Sequence, residues 1–145
     1  MKALVQRVKS ASVTINGELF SSIGAGMLVF VGVTKSDEKN NAEKLAQKLL
    51  SLRIFEDDNE KMNRSVVDEK LEMLVVSQFT LCGDCKKGTR PSFDEAAHPI
   101  KAVELYEYFV ECLKQSGLNV RTGQFQAMMD VTLVNDGPVT FWVEK

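Results

Sequence analysis

The chain has 145 residues, 44% of them apolar and 26% charged, which is the make-up of one globular domain and not of a disordered segment. Eighteen basic and 20 acidic side chains leave a formal charge of −2, which excludes a generic polycation that grips nucleic acid by charge alone. Three cysteines give no paired disulfide framework, and no apolar run approaches the ~20 residues that a membrane helix needs.

The chain opens on strands. Leu4 to Ile15 is rich in Val, with Thr14 near its end, and Asn16-Gly17 suits a tight two-residue hairpin turn into a returning strand, Glu18 to Ile23. Gly24-Ala25-Gly26 then turns the chain into Met27–Val33, an unbroken apolar segment fit for a strand buried on both faces. A helix follows, with Ser36 or Asp37 as its cap. Ala42, Leu45, Ala46, Leu49 and Leu50 recur along one of its faces. Arg53-Ile54-Phe55 has the pattern of a short strand. The acidic run Glu56-Asp57-Asp58-Asn59-Glu60 is expected to be a solvated loop, because a calcium loop wants alternating ligands and a glycine.

Leu71 to Leu81 is the second strongly apolar strand, running on into Ser77-Gln78-Phe79-Thr80. Cys82 to Pro91 has loop chemistry. A second helix is expected near His98-Pro99, with Val103, Tyr106, Phe109, Val110 and Leu113 on its buried face and Gly117 as its stop. Phe125 to Val134 and Val139 to Val143 complete the strands, joined by Asn135-Asp136-Gly137-Pro138. This order predicts a single α+β domain over residues 1–145, soluble and cytoplasmic. Its mostly antiparallel sheet would curl into a barrel-like structure with two main helices packed on it.

The single histidine, His98, removes most hydrolytic triads from consideration, since the imidazole must lie beside the nucleophile. No P-loop, no nucleophile elbow and no zinc-protease motif is present, and Val29 stands where a dinucleotide fingerprint needs its third glycine. Cys82-Gly83-Asp84-Cys85 is a C-x-x-C. A structural role competes there with redox activity and with zinc, which would need two further ligands. Lys86, Lys87 and Arg90 form either a solvated loop or a phosphate-gripping one. Ser77 to Thr80 ends a buried strand, where backbone N–H groups become free to bind a developing oxyanion. Gly137-Pro138 can hold a cis bond, and fixed carbonyls beside it suit capture of an ammonium group.

Ser77-Gln78-Phe79-Thr80-Leu81 together with Asn135-Asp136-Gly137-Pro138-Val139-Thr140 resembles the motif pair of the D-aminoacyl-tRNA deacylases, often called D-tyrosyl-tRNA deacylases. The likeness extends to Gln6-Arg7-Val8, to the loop from Lys86 to Phe93 and to Thr140-Phe141-Trp142, and so to essentially the whole chain. It implies a homodimer that hydrolyses the ester joining a D-amino acid, or glycine, to the terminal adenosine of tRNA, as proofreading in translation. No cofactor, metal or membrane is implied. By the same resemblance, Ser77, Gln78, Phe79 and Thr80 are the catalytic stretch. Gly137 and Pro138 of the partner subunit, joined by a cis bond, bind the α-amino group and reject the L-enantiomer. Arg7 braces that turn, Met129 is substrate-binding, and Lys86, Lys87 and Arg90 meet the tRNA. An aminoacyl ester is already activated, so the missing histidine is no obstacle. Thr80 is expected to line the site rather than attack, because no base is evident beside it. A water activated by the terminal ribose 2′-hydroxyl is the expected nucleophile.

Overall fold

The computed structural model describes residues 1–145. Two long strands frame it. β1 (Lys2–Ile15) and β8 (Asp130–Glu144) run antiparallel almost end to end, from Lys2 opposite Glu144 to Thr14 opposite Asp130. On its other side β1 pairs twice: its first half with β3 (Gly26–Gly32), its second half with β2 (Glu18–Ile23). Asn16 and Gly17 make the β1–β2 turn with φ of 52° and 81°, the positive pair that a tight hairpin requires.

β6 (Glu72–Ser77) then lies parallel to β3, and β7 (Val120–Thr122) lies parallel to β6. Parallel neighbours need long crossovers, and the helices α1 (Lys39–Ser51) and α2 (Pro99–Lys114) lie in them. The order is therefore β2-β1-β3-β6-β7, with β8 along β1. The Ser21 hydroxyl donates to the Thr122 carbonyl at 2.7 Å, drawing β2 toward β7 and nearly closing the sheet. The expected α+β fold, a curled sheet with two main helices on it, is present. Its parallel side is an addition, because a parallel pairing joins segments far apart in sequence and leaves no periodic trace.

The alternation of β3 explains the core. Met27, Val29 and Val31 pack with Leu45, Leu49, Phe109 and Leu113 of the helices, while Leu28 faces Val8, Val13, Leu74 and Val76 inside the sheet's curl. β3 is buried on both faces, as its unbroken apolar run predicts. β4 (Arg53–Glu56) and β5 (Met62–Ser65) form a small separate hairpin. The acidic residues between them are indeed a loop. Asp57 accepts the Asn59 and Lys61 amides and the Asn63 side chain, contacts that hold its carboxyl below the usual range.

Three local expectations are corrected. The cap of α1 is Glu38, whose amide donates to Asn41 Oδ1 at 2.9 Å, because Asp37 is spent on the Thr34 amide and the N-terminal ammonium. β6 stops at Ser77 rather than Leu81. β3 ends at Gly32, so the Gln78 amide makes a last bond to Val31 O, and Phe79–Cys82 winds into a 3₁₀ turn. Finally, the last strand is one element and not two. Asn135 to Pro138 is an irregularity inside β8, bridged by Asn135: Val139 N donates to its Oδ1 at 3.0 Å, and its Nδ2 donates to Thr140 Oγ1 at 2.9 Å. The predicted start at Phe125 gives way to a turn, with β8 beginning at Asp130.

Candidate active site

Where β6 ends, the chain leaves the sheet and uncovers a cavity of about 690 Å³ with a predominantly apolar lining. Ser77, Gln78 and Phe79 form one wall, the turn from Phe125 to Met129 forms another, and Tyr106 of α2 contributes its ring. Tyr106 is fixed there. Its hydroxyl donates to the Val75 carbonyl at 2.9 Å and its ring lies 5.8 Å from that of Phe125. Burial pushes its phenol well above the ordinary range, so it stays a neutral donor.

Of the predicted catalytic stretch, three residues line the cavity and Thr80 does not. Gln78 Nε2 donates to Thr80 Oγ1, and no carboxylate or imidazole bonds to that hydroxyl. The amide is no base, and within this chain no group bonded to Thr80 can take its proton. Phe79 and Thr80 begin the 3₁₀ turn, the end of a helical turn whose N–H groups find no partner within it. Met129, predicted on the substrate side, does line the cavity.

A second constellation lies on β1 and β8. Arg7 is only 6% exposed. Its Nη1 donates to Ile54 O at 2.9 Å, its Nη2 meets Glu56 Oε1 at 3.3 Å, and its Nε reaches both the carbonyl and the carboxylate of Asp136, at 3.2 and 3.1 Å. Arg7 thus ties the β4 strand to the residue before Gly137-Pro138. The Gly137–Pro138 bond is cis, and both residues are exposed. Within one chain neither of them, nor Arg7, lines the cavity.

The basic loop abuts the cavity. Lys86, Lys87 and Arg90 are exposed, and none of them pairs with a carboxylate. Asp84 and Ser92 close its base by two backbone bonds of 2.7 and 3.0 Å. Phe93 follows at once, and its ring sits 5.0 Å from that of Phe79.

Cys82 and Cys85 are free thiols. Cys82 is buried and bonds to Val33 O at 3.4 Å, and burial pushes its thiol up, the opposite of what an attacking thiolate needs. No cluster of three or more His, Cys, Asp or Glu side chains is arranged to hold a metal ion. His98 is exposed at the start of α2 and makes no capping bond. Sequence patterns missed much of the cavity wall, including Tyr106, assigned to the core by its helical spacing, and Phe125 to Met128, assigned to a strand by their apolar content.

A family model described as D-Tyr-tRNA(Tyr) deacylase matches residues 4–144. A D-aminoacyl-tRNA deacylase of Koribacter versatilis is 57% identical over 145 residues, covering 100% of this chain and 97% of its own. One of Bacillus cytotoxicus is 52% identical over 145 residues, covering 100% and 99%. Among solved structures, a c-Myc DNA Unwinding Element Binding Protein superposes with a TM-score of 0.94 at 42% identity, covering 100% of this chain and 99% of that one. A probable eukaryotic D-amino acid tRNA deacylase superposes at 0.87 with 17% identity, covering 99% and 98%, which shows a shared fold.

Proposed function

Because the chain belongs to the D-Tyr-tRNA(Tyr) deacylase family, we propose that it hydrolyses the ester of D-aminoacyl-tRNA, releasing the free D-amino acid and intact tRNA. It is a hydrolase of carboxylic esters. The observation that carries this reading is the match of the whole chain, at 57% identity, to a relative of that name.

The cavity is large enough for a terminal nucleoside with its amino acid, and sites of ~300–1,000 Å³ are typical for such ligands. The ester carbonyl lies over Ser77 to Thr80, where the Phe79 and Thr80 amides stabilise the oxyanion. Thr80 offers its backbone amide and does not attack, and Gln78 fixes its hydroxyl outside the cavity lining. The terminal ribose 2′-hydroxyl activates the water. Met129 bounds the pocket opposite.

Gly137-Pro138 comes from a second copy of the chain and holds the α-amino group by its carbonyls. The exposed position of that turn, outside its own cavity, supports an arrangement in trans. So does β8, which has no strand on its outer edge and exposes Val134, Phe141 and Trp142; an apolar edge of this length invites a partner. In such a pocket the amino and ester groups are both gripped. The D side chain points to solvent, whereas an L side chain meets the protein wall, and an achiral glycyl ester is accepted. Lys86, Lys87 and Arg90 bind tRNA phosphates. Such proofreading serves translation and belongs in the cytoplasm.

The test is multiple-turnover release of D-tyrosine from D-tyrosyl-tRNA across a range of protein concentrations. Turnover that collapses below the dimer dissociation constant supports the reading. Absence of turnover overturns the activity, and full activity in a monomer overturns the trans arrangement.

A further inference from the structure

Two exposed aromatic rings stand at the rim of the cavity. Phe79 is 57% and Phe93 38% exposed, yet both line the cavity, and their centroids lie 5.0 Å apart with planes tilted by 58°. A tilted pair leaves ring faces available to a third planar group. The pair is held rigidly. Phe79 sits in the 3₁₀ turn, and Phe93 is packed on Gly83, where an added β-carbon would lie 3.1 Å from its ring. The Asp84–Ser92 bridge fixes the chain directly before Phe93.

The surroundings identify what such a platform takes. The closed loop carries Lys86, Lys87 and Arg90, three cations without an intramolecular partner, and its last residue hands directly on to Phe93. Unpaired cations beside exposed aromatic rings fit a single-stranded nucleic acid, whose phosphates follow the charges while its bases stack. A purely apolar peptide would leave the charges unused.

Resting on the deacylase reading, we propose that Phe93, together with Phe79, stacks the base immediately before the terminal adenosine of the tRNA. The terminal nucleoside fills the cavity. The strand leaves over the rim that bears the two rings and continues along the basic loop. Phe93 is therefore a positioning residue. It touches neither ester nor nucleophile, and it sets how the single-stranded end enters.

The experiment compares D-tyrosyl-tRNA with the D-tyrosyl ester of adenosine alone, using wild type, Phe93→Ala and Phe93→Trp. Phe93→Ala should lower the ratio of kcat/KM for tRNA to that for the nucleoside ester about tenfold, with the loss in KM, as loss of one stacked base implies. Phe93→Trp should restore the ratio. A second readout is independent of turnover: 2-aminopurine placed just before the terminal adenosine of uncharged tRNA should be quenched by wild type and Phe93→Trp but not by Phe93→Ala. An unchanged ratio with unchanged quenching overturns the proposal. So does an equal loss on both substrates, which would place Phe93 on the terminal nucleoside. If wild type turns over neither ester, the deacylase reading itself fails, while the quenching still reports on the platform.

Discussion

Arg7 and Asp136 are 129 residues apart in sequence, yet Arg7 Nε contacts both the carbonyl oxygen and the carboxylate of Asp136, at 3.2 and 3.1 Å. The guanidinium is almost fully buried, and its other nitrogens are taken by Ile54 O and Glu56. It fixes the orientation of the peptide that precedes Gly137. Only a planar fork with five donors can serve these partners at once.

Arg7→Ala should therefore cost stability and activity together. It strands the Ile54 and Asp136 carbonyls, and each charged hydrogen bond lost from a buried setting is worth about 1.5–3 kcal/mol. Discounting for the half-exposed Glu56, roughly 2–4 kcal/mol of destabilisation is expected, with at least about tenfold less deacylation. Arg7→Lys should fall between, since a point charge replaces the fork. Denaturant unfolding and single-turnover rates check this. A variant that keeps both values would show that the turn stands without its brace.

Gly137 has φ of 123°, a conformation that side chains rarely adopt, and an added β-carbon would meet Val139 Cγ2 at 2.7 Å and Arg7 Nη2 at 3.0 Å. Gly137→Ala should reduce the rate on D-tyrosyl-tRNA by about tenfold or more while leaving tRNA affinity within about twofold, the strain being of the order of 1–3 kcal/mol. Stopped-flow deacylation beside an equilibrium binding measurement separates the two. A proportionate loss of tRNA affinity would move the role of this turn from the reacting group to the tRNA body.

Lys86, Lys87 and Arg90 have no carboxylate to neutralise, so their charge is available to phosphates. Replacing all three with alanine should lower the slope of log K against log salt by about 2, the value for three contacts to a single strand. The preference for D over L should be untouched. An unaltered slope would put the phosphate contacts elsewhere.

Thr80→Ala and Thr80→Ser should both retain deacylation within about tenfold of wild type, because no base stands beside the hydroxyl. Rapid quench with labelled D-tyrosine is the check. A tyrosyl ester trapped on Thr80, or loss in alanine fully restored by serine, would make it the nucleophile.

Legibility from sequence followed the range of the interactions. β3 was plain from its unbroken apolar run, the β1–β2 turn from Asn16-Gly17, and the helices from Leu45, Leu49, Phe109 and Leu113 on their buried faces. Those signals are local. The parallel neighbours β3, β6 and β7 are not, because each pairing is made only after a helix has crossed over. β8 defeated pattern reading for a different reason: Asn135 bridges the irregularity with its own side chain, so turn chemistry sits inside a continuing strand. At the site, Ser77 to Phe79 and Met129 were legible through the family resemblance and do line the cavity. The bond from Arg7 to Ile54, 47 residues away, and the place of Tyr106 at the cavity wall depend on packing that no motif records.

On the proposed deacylase reading, the pocket sorts its substrates by chirality while leaving the side chain unrecognised. Rejection then comes from an unyielding wall at the α-carbon, and a 10⁴-fold preference would correspond to about 5.5 kcal/mol of differential transition-state binding. The most direct test is single-turnover deacylation of matched D- and L-tyrosyl-tRNA by the wild-type protein. D-tyrosyl-tRNA should be hydrolysed at least about 10³-fold faster than its enantiomer, a larger factor than a pocket fitting one methylene supplies. Equal rates on the two esters would contradict it.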